Sequence, residues 1–134
     1  MSACYLDASA LVKLVADEAE SHALRDHLAS FSARLTSRIA TIEVARALSR
    51  KGPKSSALAA EVVVAAFEGV SLIELDAEIS QQAAVLLPAT LRSLDAIHLA
   101  SALSLRDELA VLVTYDARFA QAARLAGLSV TAPA

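Results

Sequence analysis

Short, mostly apolar runs alternate with longer segments along this chain, and in the longer segments apolar residues recur every three or four positions. The short runs are typical of buried strands, and the longer segments are typical of amphipathic helices. The predicted strands cover residues 3–6, 33–36, 70–75, 110–114 and 128–131, and the predicted helices cover residues 10–15, 20–30, 39–50, 55–67, 77–87, 93–105 and 117–126. Because strands that alternate with helices pair in parallel through right-handed crossovers, we predict an α/β fold in which helices cover both faces of one sheet.

Residues that favour helix N-termini mark where several of these helices begin. Ser9, Ser37 and Asp76 each precede a predicted helix, and we expect each of them to act as its N-cap. Either Ser93 or Asp95 begins the sixth helix in the same way. These signals support the alternation of strands and helices without depending on hydrophobicity.

The composition indicates one compact unit. A length of 134 residues suits one domain, and we expect residues 1–134 to form a single one. Hydrophobic residues make up 56% of the chain, which predicts tightly packed helices and leaves apolar surface available for a partner. No apolar run approaches the roughly 18 residues that span a bilayer, and no signal core follows a basic segment, so we expect no membrane association and a cytoplasmic location. The only cysteine, Cys4, lies in the first predicted strand and is expected to be a small core residue.

Positive charge is concentrated in one part of an acidic chain. The formal net charge is -3, yet one short window holds six of the twelve Lys and Arg residues, with Glu43 as its only acid. The basic residues of this window are Arg34, Arg38, Arg46, Arg50, Lys51 and Lys54. Charge alone leaves two interpretations open, a solvated helix face and a surface that binds phosphates.

Four carboxylates follow or begin predicted elements amid apolar neighbours: Asp7, Glu43, Asp95 and Asp116. Ligands bind at the carboxyl ends of parallel strands, so these residues are the predicted catalytic and metal-binding residues of one shared cleft. Two carboxylates ~4–5 Å apart repel by about 3–4 kcal/mol at an effective dielectric near 20, and the cluster therefore needs a cation or shifted protonation. An all-oxygen site favours Mg²⁺ or Mn²⁺, which can activate a water for attack on a phosphodiester.

Three further residues are predicted to support this site. Ser9 and Thr114 flank the carboxylates and could orient a metal-bound water, and Arg92 could contact a substrate phosphate or a carboxylate of a partner protein. His98 is expected to be a packed, hydrogen-bonded histidine rather than a ligand.

A purely structural interpretation of each acid also stands. Asp7, Asp95 and Asp116 could cap the helices that they precede, and Glu43 could form an ion pair with Arg46 or Arg50 on the same helix.

Four motifs together resemble the PIN-domain ribonucleases, most closely the VapC-type toxins of bacterial toxin–antitoxin modules. The motifs are Tyr5-Leu6-Asp7-Ala8-Ser9-Ala10, Ile42-Glu43-Val44-Ala45-Arg46-Ala47, Leu94-Asp95-Ala96-Ile97-His98-Leu99-Ala100 and Thr114-Tyr115-Asp116. The resemblance implies a three-layer α/β/α sandwich around a parallel sheet of four or five strands. It also implies that the four acids hold Mg²⁺ or Mn²⁺ and cleave RNA.

The resemblance further implies a homodimer and a cognate VapB-type antitoxin whose C-terminal tail occupies the cleft. The predicted helix over residues 55–67 has almost no polar face, and with the preceding helix it offers a groove for an amphipathic antitoxin helix. One alternative with the same fold is a housekeeping RNA-processing nuclease without an antitoxin. A phosphoacceptor receiver-like domain is a third interpretation, but it requires paired acids after the first strand and a lysine after a late strand, and the chain has neither.

Overall fold

The chain forms seven helices and five strands among the residues that the structure describes. The structure is a computed structural model that describes residues 2–134, apart from the side chains of residues 53–59. The strands are β1 (Ala3–Leu6), β2 (Ala33–Ser37), β3 (Val70–Ile73), β4 (Leu109–Val113) and β5 (Val130–Thr131). The helices are α1 (Ala8–Val15), α2 (Ser21–Leu28), α3 (Ala40–Ser49), α4 (Pro53–Ala66), α5 (Ala77–Val85), α6 (Ser93–Ser104) and α7 (Ala117–Leu125).

The five strands pair in parallel in the order β3-β2-β1-β4-β5. The first strand is therefore the centre of the sheet, and the chain leaves it first towards β2 and β3 and later returns to build β4 and β5 on its other side. This order places a topological switch point between β1 and β4, where open α/β sheets bind their ligands. The prediction of a parallel α/β sheet of four or five strands is confirmed, with five.

Alternate residues of β1 serve two hydrophobic cores, one on each face of the sheet. Cys4 and Leu6 pack with buried residues of α1, α2 and α3, whereas Tyr5 packs with buried residues of α6 and α7. The largest buried partners on the two faces include Leu11, Leu24, Leu28 and Val44 on the first and Leu99, Leu112 and Phe119 on the second. Helices on both faces of the sheet make the three-layer sandwich.

The first helix begins earlier than expected, because its N-cap is Asp7 and not Ser9. Oδ1 of Asp7 accepts a hydrogen bond of 3.1 Å from the backbone N–H of Ala10, and α1 starts at Ala8. The prediction that Asp76 caps α5 is confirmed, since its Oδ1 accepts from the N–H of Ile79 at 2.9 Å.

The third strand ends sooner than its apolar pattern suggests. It is an edge strand that pairs with β2 alone, and the last residue of β2, Ser37, lies opposite Ile73. Glu74 and Leu75 were predicted to extend the strand, but they have no neighbouring strand to pair with.

The apolar helix predicted over residues 55–67 corresponds to α4, which begins at Pro53 after Gly52 in a left-handed conformation with φ of 125°. Val62, Val63 and Phe67 pack against the core, but the side chains of residues 53–59 lie outside the described residues. The predicted antitoxin groove falls partly on those residues. In the part of the chain that the structure covers, no helix is long and apolar enough to cross a membrane.

Candidate active site

The carboxyl ends of β1 and β4 carry two of the predicted acids to the same edge of the sheet. Asp7 directly follows β1, and Asp116 follows β4 after a short turn that contains Thr114. Glu43 reaches this edge from the first turn of α3, and Asp95 reaches it from the first turn of α6. All four carboxylates line one cavity of about 310 Å³, together with Ser9, Arg92 and His98. We call this space the acidic cavity.

Asp7 is the most deeply placed of the four acids. Its side chain is buried, and its Oδ1 accepts hydrogen bonds from Ser9 Oγ at 2.6 Å and from the N–H of Ala10, while its Oδ2 accepts from the hydroxyl of Thr114. Burial raises the pKa of Asp7 above its ordinary value, although these three donors act in the opposite direction. A buried anion with a raised pKa is stabilised by a nearby cation.

The two hydroxyls that were predicted to support the site hold several of its parts together. Thr114 is buried, and its Oγ1 accepts from the N–H of Asp116 at 3.1 Å while it donates to Asp7. Ser9 Oγ likewise accepts from the N–H of Tyr115 at 2.9 Å. These hydroxyls therefore tie the end of β1 to the loop that follows β4.

Arg92 joins the other edge of the cavity. Its Nη2 lies 3.1 Å from Oδ2 of Asp95 and 2.8 Å from Oδ2 of Asp116, so a single nitrogen contacts two carboxylates. The Arg92 side chain is 64% exposed, which makes these contacts accessible to solvent. The single positive charge of the guanidinium offsets one of the two negative charges of this pair of acids.

Glu43 is held by a buried chain of hydrogen bonds. Nε2 of His98 lies 2.6 Å from Oε1 of Glu43, and Nδ1 of the same ring lies 2.7 Å from the hydroxyl oxygen of Tyr5. An ionised carboxylate only accepts, so Nε2 of His98 donates to Glu43, and in the tautomer that leaves Nδ1 unprotonated this nitrogen accepts the Tyr5 O–H. Burial raises the pKa of Tyr5 well above its usual value, which keeps this proton on the phenol.

This arrangement agrees with the expectation that His98 is packed and hydrogen-bonded. Tyr5 is the residue whose part in the site was missed, because a tyrosine inside an apolar strand gives no sign of the hydroxyl's partner. The one signal available was that a fully buried tyrosine hydroxyl requires a hydrogen-bonding partner.

The structural roles considered for the acids apply to only two of them. Asp7 and Asp116 both cap helices as well as line the cavity, and Asp116 accepts from the N–H groups of Arg118 and Phe119. Asp95 does not cap α6, whose N-cap is Arg92. Glu43 was considered as an ion-pair partner of an arginine on its own helix, but its partner in the structure is His98.

The donor set suits a hard divalent cation. The cavity offers carboxylate and hydroxyl oxygens, the ligands that Mg²⁺ and Mn²⁺ prefer, and it contains no thiol. As the side chains of the described residues stand, however, no three His, Cys, Asp or Glu are grouped closely enough to hold a metal ion. Protein donors engage each acid instead: hydroxyls on Asp7, His98 on Glu43, and Arg92 on the remaining two.

The basic window does not act as one surface. Arg34 lies near the amino end of β2, opposite the edge that carries the acids, and Arg38 is paired with Glu74. Of the side chains of this window that the structure describes, only Arg46 and Arg50 line a pocket next to Glu43. The side chain of Lys54 lies outside the described residues.

Comparison with known proteins gives concordant results. Residues 4–125 match the model of the PIN domain. Ribonuclease VapC46 of Mycobacterium tuberculosis is 44% identical over 133 residues, which cover 99% of each chain. Ribonuclease VapC47 of the same species is 35% identical over 96% of each chain.

A solved structure shares the fold. VapBC2 from Rickettsia felis, bound to a DNA fragment from its promoter, superposes with a TM-score of 0.74 over 98% of this chain and 99% of that one, at 15% identity. The family match covers most of the chain, and the identity to the curated relatives extends over nearly its whole length. The chain therefore belongs to the PIN-domain family and, within it, to the VapC ribonucleases.

Proposed function

We propose that this protein is a metal-dependent endoribonuclease and the toxin of a VapBC-type toxin–antitoxin pair, with residues 1–134 acting as a single PIN domain. The observation that carries the proposal is the convergence of Asp7, Glu43, Asp95 and Asp116 in one cavity at the switch point of the sheet. The curated relatives are named ribonucleases, and this supports RNA as the substrate. The proposed site of action is the cytoplasm.

The four acids would hold Mg²⁺ or Mn²⁺, and the bound cation would supply an activated water and neutralise the developing charge at a phosphodiester. The chain's own residues prepare the acids for this. Ser9 and Thr114 fix the orientation of the Asp7 carboxylate, and His98 fixes that of Glu43. Ligand orientation by such neighbouring hydrogen bonds is worth about 10–100-fold in metal affinity or activity.

The proposed protein partners are a VapB-type antitoxin and a second copy of this chain. A related structure of known fold is a VapBC complex, which supports the antitoxin. Val85 and Leu87 are each 77% exposed and line one surface groove, and this apolar surface supports a homodimer. Light scattering should give a dimer mass for the wild-type protein and a smaller mass for Leu87→Glu if this groove is part of the interface.

The decisive experiment is cleavage of total RNA by the purified protein with Mg²⁺ or Mn²⁺, with the new RNA ends mapped. Asp7→Asn and Asp95→Asn should each abolish the cleavage. Asp107→Asn is the matched control, because Asp107 is an exposed acid that does not line the cavity. Full activity in either cavity variant would remove that residue from the mechanism, and absence of cleavage with both ions would refute the nuclease.

A housekeeping RNA-processing nuclease of the same fold is the alternative, and it differs from a toxin because it needs no antitoxin. The toxin proposal predicts that induced expression stops growth and that co-expression of a small DNA-binding protein encoded nearby restores it. Normal growth on induction of an active enzyme would favour the housekeeping nuclease.

A further inference from the structure

Two arginine-bearing pockets adjoin the acidic cavity, and each shares a different pair of lining residues with it. From this arrangement we infer that a single RNA strand crosses the cavity from one pocket to the other, with Arg46 and Arg50 binding its phosphates on one side and Arg118 on the other. The inference rests on the proposed nuclease function, since it assigns the residues that position the substrate of that site.

The first pocket, here called the α3 pocket, has a volume of about 280 Å³ and shares Glu43 and Leu94 with the acidic cavity. Glu43, Arg46 and Arg50 are spaced three and four residues apart, so they lie along one face of α3. The exposed side chain of Ile42 adds an apolar wall. A groove thus runs from the cavity along α3 towards two guanidinium groups.

The second pocket, here called the α7 pocket, has a volume of about 580 Å³ and shares Arg92 and Asp95 with the acidic cavity. Arg118, Gln121 and Leu125 have the same three- and four-residue spacing on α7 and line this pocket. Its wall thus combines a guanidinium, an amide that can bond to a base edge, and an exposed apolar surface.

The guanidinium groups of Arg46, Arg50 and Arg118 can still bind an anionic ligand. Of the arginines that line these pockets, Arg92 is committed to Asp95 and Asp116. Among the described side chains, no ion pair involves Arg46, Arg50 or Arg118. Their charges are therefore available to an anionic ligand, which the -3 net charge of the chain would otherwise repel at long range.

An RNA strand suits this arrangement better than a peptide does. An endonuclease cuts inside a strand, so its substrate continues on both sides of the reacting phosphate and carries charges there at regular intervals. Single-stranded nucleic acid is bound by cationic grooves with apolar side chains on which unstacked bases rest. Ile42 and Leu125 provide such contacts beside the arginines of the α3 and α7 pockets.

The first test measures binding without cleavage. In an Asp7→Asn background, fluorescence anisotropy gives the affinity for a fluorescein-labelled twelve-nucleotide oligouridine at several salt concentrations. The Arg46→Gln/Arg50→Gln pair and Arg118→Gln should each weaken binding three- to tenfold and reduce the slope of log Kd against log salt by about 0.7 per lost phosphate contact. Lys51 and Arg124 are exposed, lie close in sequence to these arginines and line neither pocket. The control variants Lys51→Gln and Arg124→Gln should therefore bind the RNA as the Asp7→Asn parent does.

The second test separates the two sides of the path. On an RNA with a mapped cleavage site, one substrate is shortened on the 5′ side and another on the 3′ side. The KM increase caused by Arg118→Gln should vanish with one truncation, and that caused by the Arg46/Arg50 pair should vanish with the other. Equal KM effects on both truncated substrates would overturn the path.

The outcomes distinguish this inference from the proposed function. If the wild-type protein neither cleaves RNA nor, as Asp7→Asn, binds it, the proposed function itself fails. If cleavage is intact and the three arginine variants match their controls, only the path is refuted. Unchanged RNA binding together with weaker binding of the cognate antitoxin would assign these pockets to an acidic peptide and would also refute the path.

Discussion

Nη2 of Arg92 lies 2.8 Å from Oδ2 of Asp116, and the same nitrogen contacts Asp95. The guanidinium thus stands between two of the four acids that are proposed to hold a metal ion. Because Arg92 carries its own positive charge, it competes with a divalent cation for these carboxylates and repels the cation electrostatically.

Removal of this charge should strengthen metal binding. Arg92→Gln is expected to bind Mn²⁺ about tenfold more tightly than the wild type, which corresponds to about 1.4 kcal/mol. Isothermal titration calorimetry measures this without reference to catalysis. Arg124→Gln, which lines no part of the cavity, serves as the control for the loss of one positive charge. Weaker Mn²⁺ binding by Arg92→Gln would show instead that the arginine orients the two acids for the metal.

The buried chain from Tyr5 through His98 to Glu43 predicts energetic coupling between its ends. Tyr5→Phe leaves Nδ1 of His98 without its donor and should lower the free energy of unfolding by about 1–2 kcal/mol. Combined with Glu43→Gln in a double-mutant cycle, it should show a coupling energy of at least about 0.5 kcal/mol by urea denaturation.

Tyr115→Phe is the matched control for this cycle. It also removes a tyrosine hydroxyl that makes one hydrogen bond, here to the carbonyl of Pro133, and this hydroxyl does not belong to the chain that ends at Glu43. It should therefore be additive with Glu43→Gln. If the effects of Tyr5→Phe and Glu43→Gln were also additive, Tyr5 and Glu43 would not be energetically coupled through His98.

Thr114→Val should shift the pH dependence of the reaction. The substitution keeps the shape of the side chain but removes the hydroxyl that donates to Asp7, so the pKa of Asp7 should rise further. Asp7 must be ionised to hold a cation, and the acid limb of the activity profile should therefore move to higher pH. Stability should fall by about 2 kcal/mol, because Asp7 Oδ2 and the N–H of Asp116 both lose a buried partner.

Thr41→Val controls for the loss of a threonine hydroxyl. Its hydroxyl is exposed and bonds only to the carbonyl of Arg38. The acid limb of the activity profile should not move, and the free energy of unfolding should change by no more than about 0.5 kcal/mol. An unshifted acid limb in Thr114→Val would show that the protonation of Asp7 does not limit activity.

Cys4 should be inert in the native protein. Its thiol is fully buried, and burial raises its pKa to about 11, so only about one thiol in a thousand is ionised at pH 8. A thiol reagent such as DTNB should label the protein in urea but not in buffer. Because the folded pKa lies above the unfolded value, the associated stability is present below pH 9 and is lost as the pH rises towards 11. Rapid labelling of native protein would contradict this burial.

Much of the fold follows from local patterns. The apolar run of β1 and the capping acid Asp76 are recognisable from the sequence alone, because strand propensity and helix capping depend on residues within a few positions. Sequence could not decide between Asp7 and Ser9 as the cap of α1, since both carry a suitable oxygen. That choice depends on Thr114, more than a hundred residues away, which holds the Asp7 carboxylate in place.

The site was predictable in its acids but not in their partners. Asp7 and Asp116 stand where strands end, and that position is visible in the sequence. The pairing of Arg92 with Asp116 depends on how the start of α6 packs beside the start of α7, which no local pattern contains. The division of the basic window has the same origin, because β2 carries Arg34 to the opposite edge of the sheet while α3 brings Arg46 beside Glu43.

The central position of β1 sets when the protein becomes competent during its synthesis. The strand is translated before both of its neighbours in the sheet, and one of them, β4, follows about a hundred residues later. Until then β1 has one unpaired edge. The carboxylate of Asp7 also lacks the hydrogen bond from Thr114, and Asp116 is not yet part of the chain. The proposed site therefore cannot assemble before the segment up to Asp116 has been translated.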